Sequence, residues 1–482
     1  MPEWKIFLSH TLTVFNVLLA FYFVAGNGVY TLLMLMSLVS VWLHNRRLAY
    51  EGLDLLSEST VTPPVTIVMP AWNEQDAIVD SVRSVLKTQY PRLEVIAVDD
   101  GSTDKTLERL IAAFDLVRVD FIYRPLLPTQ PVRAFYLSHQ APRLCVVSKE
   151  RGGKPDALNV GINLCRTPYF CTLDADCVLE RNALLRLMRP IIRSRVNTVA
   201  SGGIVRILNG CAVEDGQVVK VGLPSNAIER FQVVEYLRTF LFGRTGWDLL
   251  EGTLIVSGAF AVFHRETVIE AGGFGLDTVS EDMELVVRIH RWAVEHQRQI
   301  RMSFTPDPVC WSESPASLRM LARQRRRWQL GLCQTLWKNA RMLFNRKYGV
   351  IGMLSYPFHL YVEALGAVVE FVGYALLPAA FMLNTSLPRL YIPFLVLGLA
   401  YATFLSVGSV VLEELTQRRY PSFRDLKTLL LYALLENFGY RQVVLWFRFQ
   451  GVIRFLAGFH KWEKVVHVGT ASTPHPTTAM KA

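Results

Sequence analysis

The chain has 482 residues, which is long enough for two or three structural units. Hydrophobic residues make up 51% of it and the mean hydropathy is +0.25, values that favour a membrane protein. Its 19% of charged residues excludes a wholly embedded chain, so we predict a soluble domain attached to membrane segments. The net charge of +10 does not indicate nucleic-acid binding, because the Lys and Arg residues cluster beside apolar segments, as at 44–47 and 323–327.

The seven cysteines are an odd number, and none forms a Cys-x-x-Cys pair. Several of them lie in apolar stretches that resemble strands. We therefore expect reduced, buried thiols and not a disulfide framework.

The N-terminal segment, 1–48, is predicted to lie in the membrane. Two apolar runs, 6–25 and 29–43, flank Gly26-Asn27-Gly28, and the first has the ~20 residues needed to cross a bilayer. A hairpin of two membrane helices is the preferred interpretation, with one helix and an amphipathic lead-in as the alternative. Arg46-Arg47 predicts that the chain enters the cytoplasm at this point, beginning with a polar linker at 49–64.

From residue 65 the pattern changes to strands that alternate with helices. Strands are predicted at 65–69 and 93–98, and helices at 76–88 and from Ser102 onward. This order predicts an α/β domain with a largely parallel sheet and helices on both faces. Two later segments are predicted to be a Pro-rich surface loop and a further buried strand, at 124–143 and 254–263.

Polar clusters follow three of the predicted strands. They are Asn73-Glu74, Asp99-Asp100-Gly101-Ser102 and Asp174-Ala175-Asp176. Ligands bind at the carboxyl ends of strands in such sheets, and two carboxylates one residue apart can converge on a hard cation. An Asp-x-Asp sequence alone is weak because it also caps helices, but the three clusters together predict one site.

Two further segments lead into helices. The run Gly152-Gly153-Lys154-Pro155 combines a tight turn with a proline near the first helical position, which directs Lys154 toward the sheet edge. The segment 280–284 opens an amphipathic helix. Its acidic residues are compatible with a capping motif at the positive helix end as well as with a catalytic role.

Two long apolar segments, 354–383 and 391–412, follow an arginine-rich helix at 315–329. A third apolar segment, 429–449, contains Glu436, Arg441 and Arg448, which are costly in a membrane unless they pair or face a polar path. We favour a span that lines a pathway, with Glu436 and Arg441 paired; an interfacial or re-entrant segment is the alternative.

The segment 354–383 also carries acidic residues, and the same two interpretations apply to them. Glu363 and Glu370 are seven residues apart and so share one helical face, which either lines a pathway or meets water at the interface. The polar tail beyond residue 470 is predicted to be disordered.

The motifs resemble, in order and spacing, the family 2 processive glycosyltransferases, which include cellulose, chitin, hyaluronan and poly-N-acetylglucosamine synthases. The segments that carry the resemblance are 65–74, 98–102, 153–159, 174–176, 280–282 and Gln324-Arg325-Arg326-Arg327-Trp328. The Gln-x-x-Arg-Trp motif after the Glu-Asp pair is the most specific of them. The whole chain is most similar to the bacterial poly-N-acetylglucosamine branch.

The resemblance implies a GT-A nucleotide-sugar-binding domain at 65–315, with a mixed, mostly parallel sheet. It also implies interfacial helices at 316–350, a transmembrane region at 351–455 and a cytoplasmic tail at 456–482. The implied protein is a multi-pass enzyme of the bacterial inner membrane with a cytoplasmic catalytic domain. It would be a processive, inverting hexosyltransferase that uses UDP-linked Glc or GlcNAc to extend a β-linked exopolysaccharide.

The resemblance also implies roles for residues on the donor side. Asp99 and Asp100 would hold the nucleoside, with Lys154 close to the same moiety. Asp174 and Asp176 would bind Mg²⁺ or Mn²⁺ against the diphosphate.

On the acceptor side, Asp282 would be the general base. Arg327 and Gln324 would clamp the leaving nucleoside diphosphate, and Trp328 would stack on the terminal acceptor sugar. Ser257-Gly258 would line the acceptor site.

Some features depart from the family pattern. Ser280 replaces the usual Thr, the 124–143 segment has no counterpart, and no cyclic-dinucleotide-binding domain follows the membrane part. Control by that ligand would need an accessory regulatory or export subunit. Trp462 resembles a C-terminal segment of related synthases, but equally fits an interfacial anchor.

Two rival functions agree less well with the motifs. The first is non-processive transfer to a membrane lipid, which the Gln-x-x-Arg-Trp motif argues against. The second is a transporter with a degenerate nucleotide-binding domain, and the presence of every carboxylate in the motifs argues against it.

Overall fold

The computed structural model describes residues 3–48, 59, 62–194, 196–382, 387–420 and 422–459. The predictions for most of the 49–64 linker, for Trp462 and for the tail lie outside these residues. The strands are β1 (Val65–Ala71), β2 (Leu93–Asp99), β3 (Leu116–Val119), β4 (Val132–Ser138), β5 (Leu144–Lys149), β6 (Tyr169–Leu173), β7 (Val178–Leu179), β8 (Thr198–Ile207), β9 (Ala212–Glu214), β10 (Gln217–Lys220), β11 (Phe260–His264) and β12 (Arg301–Ser312).

Ten strands form one mixed sheet in the order β3-β4-β5-β2-β1-β6-β11-β8-β12-β7, and β9 and β10 form a separate hairpin. The central strands β5, β2, β1 and β6 are parallel. Within this sheet β4, β7 and β11 run against the other seven strands. The predicted α/β fold with a mixed, mostly parallel sheet is confirmed.

The helices are α1 (Glu3–Leu48), α2 (Ile78–Leu86), α3 (Thr106–Phe114), α4 (Lys154–Leu164), α5 (Ala183–Arg193), α6 (Ala227–Tyr236), α7 (Thr245–Leu249), α8 (Arg265–Glu270), α9 (Glu281–Glu295), α10 (Leu318–Lys338), α11 (Tyr356–Phe358), α12 (Gly366–Met382), α13 (Leu387–Thr416), α14 (Phe423–Leu435) and α15 (Tyr440–Leu456). Leu237–Arg244, Ile351–Ser355 and His359–Ala364 are π-helical, and Ala340–Met342 and Arg346–Tyr348 are 3₁₀-helical.

Helices cover both faces of the sheet because its strands alternate between two apolar cores. In β1, Ile67 and Met69 pack in the core that contains α2, α3 and α5, whereas Val68 packs against α4, α8 and α9. Each such side chain contributes about 1.5–3 kcal/mol when fully buried. Gly161 lets α4 lie directly on β1, since a Cβ there would be 2.2 Å from Cγ1 of Val68. A larger side chain at this position would push α4 away from the sheet.

Two sequence-based boundaries were wrong. The predicted loop at 124–143 contains β4, whose Ala134 and Phe135 are buried and which pairs with β3 and β5. Its flanking prolines hid a short strand that is defined by tertiary pairing. The strand predicted at 254–263 begins only at Phe260, so Ser257 and Gly258 precede it in an irregular segment.

The N-terminal hairpin is also not found, because α1 is one continuous helix through Gly26-Asn27-Gly28. A helix satisfies its backbone hydrogen bonds internally, so two glycines need not break it inside a membrane. Three described helical segments are long and apolar enough to cross a membrane, at Val17–Arg46, Ile351–Leu376 and Val396–Thr416. These segments indicate a membrane protein.

The apolar segment 429–449 is not a single helix. It is divided between α14 and α15 at Gly439, where φ is 105°. The predicted Glu436–Arg441 pair was wrong, since Oε1 of Glu436 accepts a hydrogen bond from Nη1 of Arg238 at 2.5 Å. The sequence near Glu436 could not reveal this partner, because Arg238 lies in the π-helical segment Leu237–Arg244, about 200 residues earlier in the chain.

All seven cysteines are free, and five of them are buried. The prediction of free, buried thiols is confirmed for these five, whereas Cys145 and Cys211 are half-buried.

Candidate active site

A cavity of about 1190 Å³ begins at the carboxyl ends of β1, β2 and β6 and continues between α1, α12, α13 and α15. Ten of the predicted site residues line it, namely Asp100, Lys154, Asp174, Asp176, Ser257, Gly258, Asp282, Gln324, Arg327 and Trp328. Asp99 does not line the cavity. The fold therefore gathers side chains from positions 100 to 328 around one space.

Lys154 lies at the centre of the acidic groups. Its Nζ is 2.6 Å from Oδ1 of Asp174, 3.3 Å from Oε1 of Glu281 and 3.3 Å from the carbonyl oxygen of Gly258. Burial by itself would lower the pKa of Lys154, but the carboxylates of Asp174 and Glu281 outweigh burial and raise it. The ammonium is thus held charged beside Asp174, and its predicted proximity to the nucleoside stays a prediction.

Asp282 lies in the first turn of α9 with its carboxylate facing the cavity. Its Oδ1 accepts a hydrogen bond from the Ser280 hydroxyl at 3.1 Å, and Ser280 makes no side-chain cap to the helix backbone. The capping interpretation therefore does not describe Ser280. Burial and the neighbouring Glu281 carboxylate raise the pKa of Asp282, although Lys154 partly opposes them. A raised pKa makes this carboxylate a stronger base.

Asp99 and Asp100 end β2 in different environments. Asp99 accepts from the backbone N–H of Ser102 at 3.1 Å and from the Ser148 hydroxyl at 3.2 Å, and burial raises its pKa. Asp100 lines the cavity, but buried Lys149 contacts its Oδ1 at 2.7 Å. The backbone N–H groups of the Gly152-Gly153 turn donate to the two oxygens of Asp100 at 2.9 and 2.7 Å. Asp100 consequently holds this turn against the sheet.

The Gln-x-x-Arg-Trp motif lies on α10. The guanidinium carbon of Arg325 is 4.3 Å from the centroid of the Trp328 ring, and its Nη2 donates to Oε2 of Glu235 at 2.8 Å. The same carboxylate oxygen accepts from the Tyr440 hydroxyl at 2.9 Å. Trp328 is 38% exposed, so one side of its ring is held by Arg325 while the rest is accessible.

An aromatic–cation pair that was not predicted lies at the Asp100 end of the cavity. The guanidinium carbon of Arg151 is 3.4 Å from the centroid of the Trp72 ring, and both residues line the cavity near Asp100. Trp72 directly follows β1, so its place beside the Asn73-Glu74 cluster was a usable signal. Arg244 also lines the cavity, and no local pattern marks it.

The membrane end of the cavity is polar as well. Nη2 of Arg448 is 3.1 Å from Oε2 of Glu363, and its Nε donates to Oε1 of Gln329 at 2.9 Å. The hydroxyl of Tyr30 donates to Glu363. Since Gln329 follows Trp328 in α10, one hydrogen-bonded chain connects the motif helix to α1 and α15.

A family model described as glycosyltransferase like family 2 matches residues 63–331, more than half of the chain. The chain belongs to this family. The predicted enzyme class, a family 2 glycosyltransferase, is thereby confirmed.

Curated relatives support the predicted branch. The poly-beta-1,6-N-acetyl-D-glucosamine synthase of Staphylococcus aureus strain MSSA476 is 26% identical over 267 residues, which cover 55% of this chain and 54% of the relative. The Staphylococcus epidermidis synthase of the same name is 24% identical over 282 residues, covering 58% of this chain and 57% of the relative. The chain thus spans about half the length of the curated relatives that it matches.

A solved structure supports the fold. The mannosyltransferase from Pyrobaculum calidifontis, in complex with GDP-Man and Mn²⁺, superposes with a TM-score of 0.50. The match covers 88% of this chain and 99% of that one at 20% sequence identity. At this identity the likeness concerns the GT-A fold alone.

Proposed function

We propose that this chain is a membrane-bound, inverting hexosyltransferase that extends a β-linked polysaccharide from a nucleotide sugar, UDP-linked Glc or GlcNAc. The observation that carries the proposal is the single cavity that joins Asp174, Asp176 and Asp282 to the membrane helices. Membership of family 2 and the names of the curated relatives support it. A donor site that continues into a cavity between membrane helices suits a polymer that crosses the membrane inside the protein.

In the proposed reaction, Asp282 takes the proton of an acceptor hydroxyl. The acceptor oxygen then bonds to the anomeric carbon from the face opposite the diphosphate, and the bond from that carbon to the diphosphate oxygen breaks. The electron pair and negative charge remain on the diphosphate. Arg327 and Lys154, which line the same space, would oppose this charge, with Gln324 completing the clamp.

Asp174 and Asp176 would hold a divalent cation, Mg²⁺ or Mn²⁺, as the solved mannosyltransferase is a Mn²⁺ complex. Both carboxylates line the cavity, which suits a hard cation. Within the described part of the chain no cluster of three or more His, Cys, Asp or Glu residues is placed to hold a metal. Donor phosphate oxygens and water would therefore complete the ligand set, and the bound cation would neutralise charge on the leaving diphosphate.

The nucleoside would lie at the Asp100 end of the cavity. The stacked Trp72 and Arg151 side chains offer an aromatic and cationic surface there. Asp99 would stabilise the end of β2 at this site through the hydrogen bonds that it accepts from Ser102 and Ser148. Trp328 would stack on the terminal acceptor sugar next to Ser257-Gly258.

The proposed topology is multi-pass in a bacterial inner membrane, with the domain at 65–315 in the cytoplasm. The helices at 316–350 would lie at the interface, and the polymer would pass the polar wall that contains Glu363 and Glu370. An accessory subunit for export or regulation belongs to the same proposal.

The test uses the purified full chain in detergent with radiolabelled UDP-Glc, UDP-GlcNAc or GDP-Man, with Mg²⁺, Mn²⁺ or a chelator. We expect a UDP-sugar to give a long, metal-dependent product that a linkage-specific hydrolase digests. Asp282→Asn should abolish transfer while UDP binding is unchanged, and Glu295→Gln, an exposed position on the same helix, should retain activity.

Other results would contradict parts of the proposal. Full transfer by Asp282→Asn would remove this residue from the mechanism. A lipid that carries one sugar would favour non-processive transfer, and no transfer from any donor would refute the proposed activity.

A further inference from the structure

A row of three side chains leads away from Trp328 along one wall of the cavity. Tyr236, Phe240 and Arg244 follow one another at four-residue intervals from the end of α6 through the π segment, and all three line the cavity. The Tyr236 ring centroid is 6.5 Å from that of Trp328 and 4.7 Å from that of Phe240. The guanidinium carbon of Arg244 is 4.0 Å from the Phe240 centroid. We refer to these three residues as the Tyr236–Arg244 row.

Arg244 differs from two nearby arginines, Arg238 and Arg325, which form ion pairs. Arg238 pairs with Glu436 and Arg325 pairs with Glu235, at 2.5 and 2.8 Å. Nη1 of Arg244 is buried without a hydrogen-bond partner among the described residues, and no ion pair with Arg244 occurs among them. Leaving a buried cation unpaired is costly, so a side chain of this kind in a ligand cavity indicates a partner supplied by the ligand.

Arg244 also lies within electrostatic range of the proposed base. Burial lowers the pKa of Arg244 to about 10, and the Asp282 carboxylate opposes that shift. The guanidinium is therefore charged at neutral pH and lies on the acceptor side of the site.

We infer that the Tyr236–Arg244 row binds the acceptor chain behind its terminal sugar, and that Arg244 donates a hydrogen bond to an uncharged sugar oxygen, a hydroxyl or an amide carbonyl. The inference rests on the proposed function and names a subsite for it. Pyranose rings present apolar C–H faces that pack on aromatic rings such as Tyr236 and Phe240. A carboxylate on the acceptor is disfavoured at this position, because the carboxylate of Asp282, which lies within electrostatic range of Arg244, would repel it.

The experiment measures transfer from the donor to short, defined oligosaccharide acceptors by the full chain in detergent. Arg244→Gln should raise the acceptor KM by about tenfold or more, because a charge-assisted hydrogen bond is lost. The donor KM and the rate of donor hydrolysis without acceptor should stay within about twofold. Arg244→Lys should recover part of the affinity. Phe240→Leu, which removes an aromatic ring but keeps the guanidinium group, should also raise the acceptor KM.

Arg230→Gln is the matched control. Arg230 lies on α6, the helix that leads into the π segment. Its Nε donates to the carbonyl oxygen of Pro224 at 2.6 Å, and it does not line the cavity. An equal rise of the acceptor KM in this control, or a rise of the donor KM in Arg244→Gln, would overturn the inference. So would tighter binding of a uronate-terminated acceptor than of a neutral one.

The inference and the proposed function fail in different ways. If the wild-type chain transfers sugar and Arg244→Gln binds the acceptor as well as wild type, only the inference is wrong. If the wild-type chain transfers no sugar to any acceptor, the proposed function is wrong, and the inference falls with it.

Discussion

Gly258→Ala is predicted to disable the site without unfolding the protein. A Cβ built on Gly258 lies 2.3 Å from Oδ2 and 2.8 Å from Cγ of Asp282, whereas ordinary contacts begin near 3.4 Å. The carboxylate must therefore move by about 1 Å, a displacement that typically costs on the order of 100-fold in rate. This corresponds to about 2.7 kcal/mol of activation free energy.

The stability of the variant should change little, for two reasons. The backbone of Gly258 is not in the left-handed region, so alanine is compatible with it. The atoms that must move belong to the Asp282 side chain, which faces the cavity, and not to the backbone. We expect the free energy of unfolding to change by less than about 1 kcal/mol.

The assay is the initial rate of transfer at saturating donor, measured together with the thermal midpoint and the donor dissociation constant. Gly28→Ala is the control, because an added Cβ there meets nothing within 4 Å. A transfer rate for Gly258→Ala within threefold of wild type, at an unchanged thermal midpoint, would refute the placement of Asp282 as the base.

Three further predictions concern other parts of the domain. Lys149 is fully buried and contacts both Asp100 and Asp156 at 2.7 Å; Lys149→Met should cost about 3–5 kcal/mol of stability, seen as a lower thermal midpoint, because two buried carboxylates lose their cation. Burial lowers the pKa of His290 to about 4, so the unfolded chain binds more protons between pH 4 and 6.5 and stability should fall as the pH falls through this range; a His290→Gln variant with the same pH dependence of its thermal midpoint would contradict this. Arg325→Leu removes the cation from the Trp328 ring and leaves Glu235 without its ion-pair partner; it should shorten the polymer on a gel, whereas wild-type product length would contradict a positioning role.

Much of the fold follows from local sequence patterns, for a physical reason. Apolar strands and amphipathic helices have different periods, so alternation along the chain revealed the α/β domain before any contact was known. Strand ends also reveal a site, since parallel strands bring their carboxyl ends to one edge. The clusters at Asp100 and Asp174 were found in this way, and the cavity joins them.

The errors arose where a distant partner decides the structure. β4 exists because β3 and β5 pair with it. The hairpin predicted within α1 failed for a local reason instead, because a helix in a membrane keeps its internal hydrogen bonds through two glycines. Glu436 pairs with Arg238 and not with Arg441, because the fold, and not the distance along the sequence, decides which charged side chains meet. The ion pair of Lys154 with Asp174, which was not predicted, likewise joins two residues that only the fold brings together.

The sequence by itself determined the family, the α/β architecture and most of the residues around the cavity, because motif order and periodicity are local properties. Only the tertiary structure decided that Lys154 lies among the acids and that Gly258 makes room for Asp282. It also decided that Nη1 of Arg244 has no hydrogen-bond partner among the described residues. Each of these depends on the positions of groups tens of residues apart, which packing and charge fix only after the chain has folded.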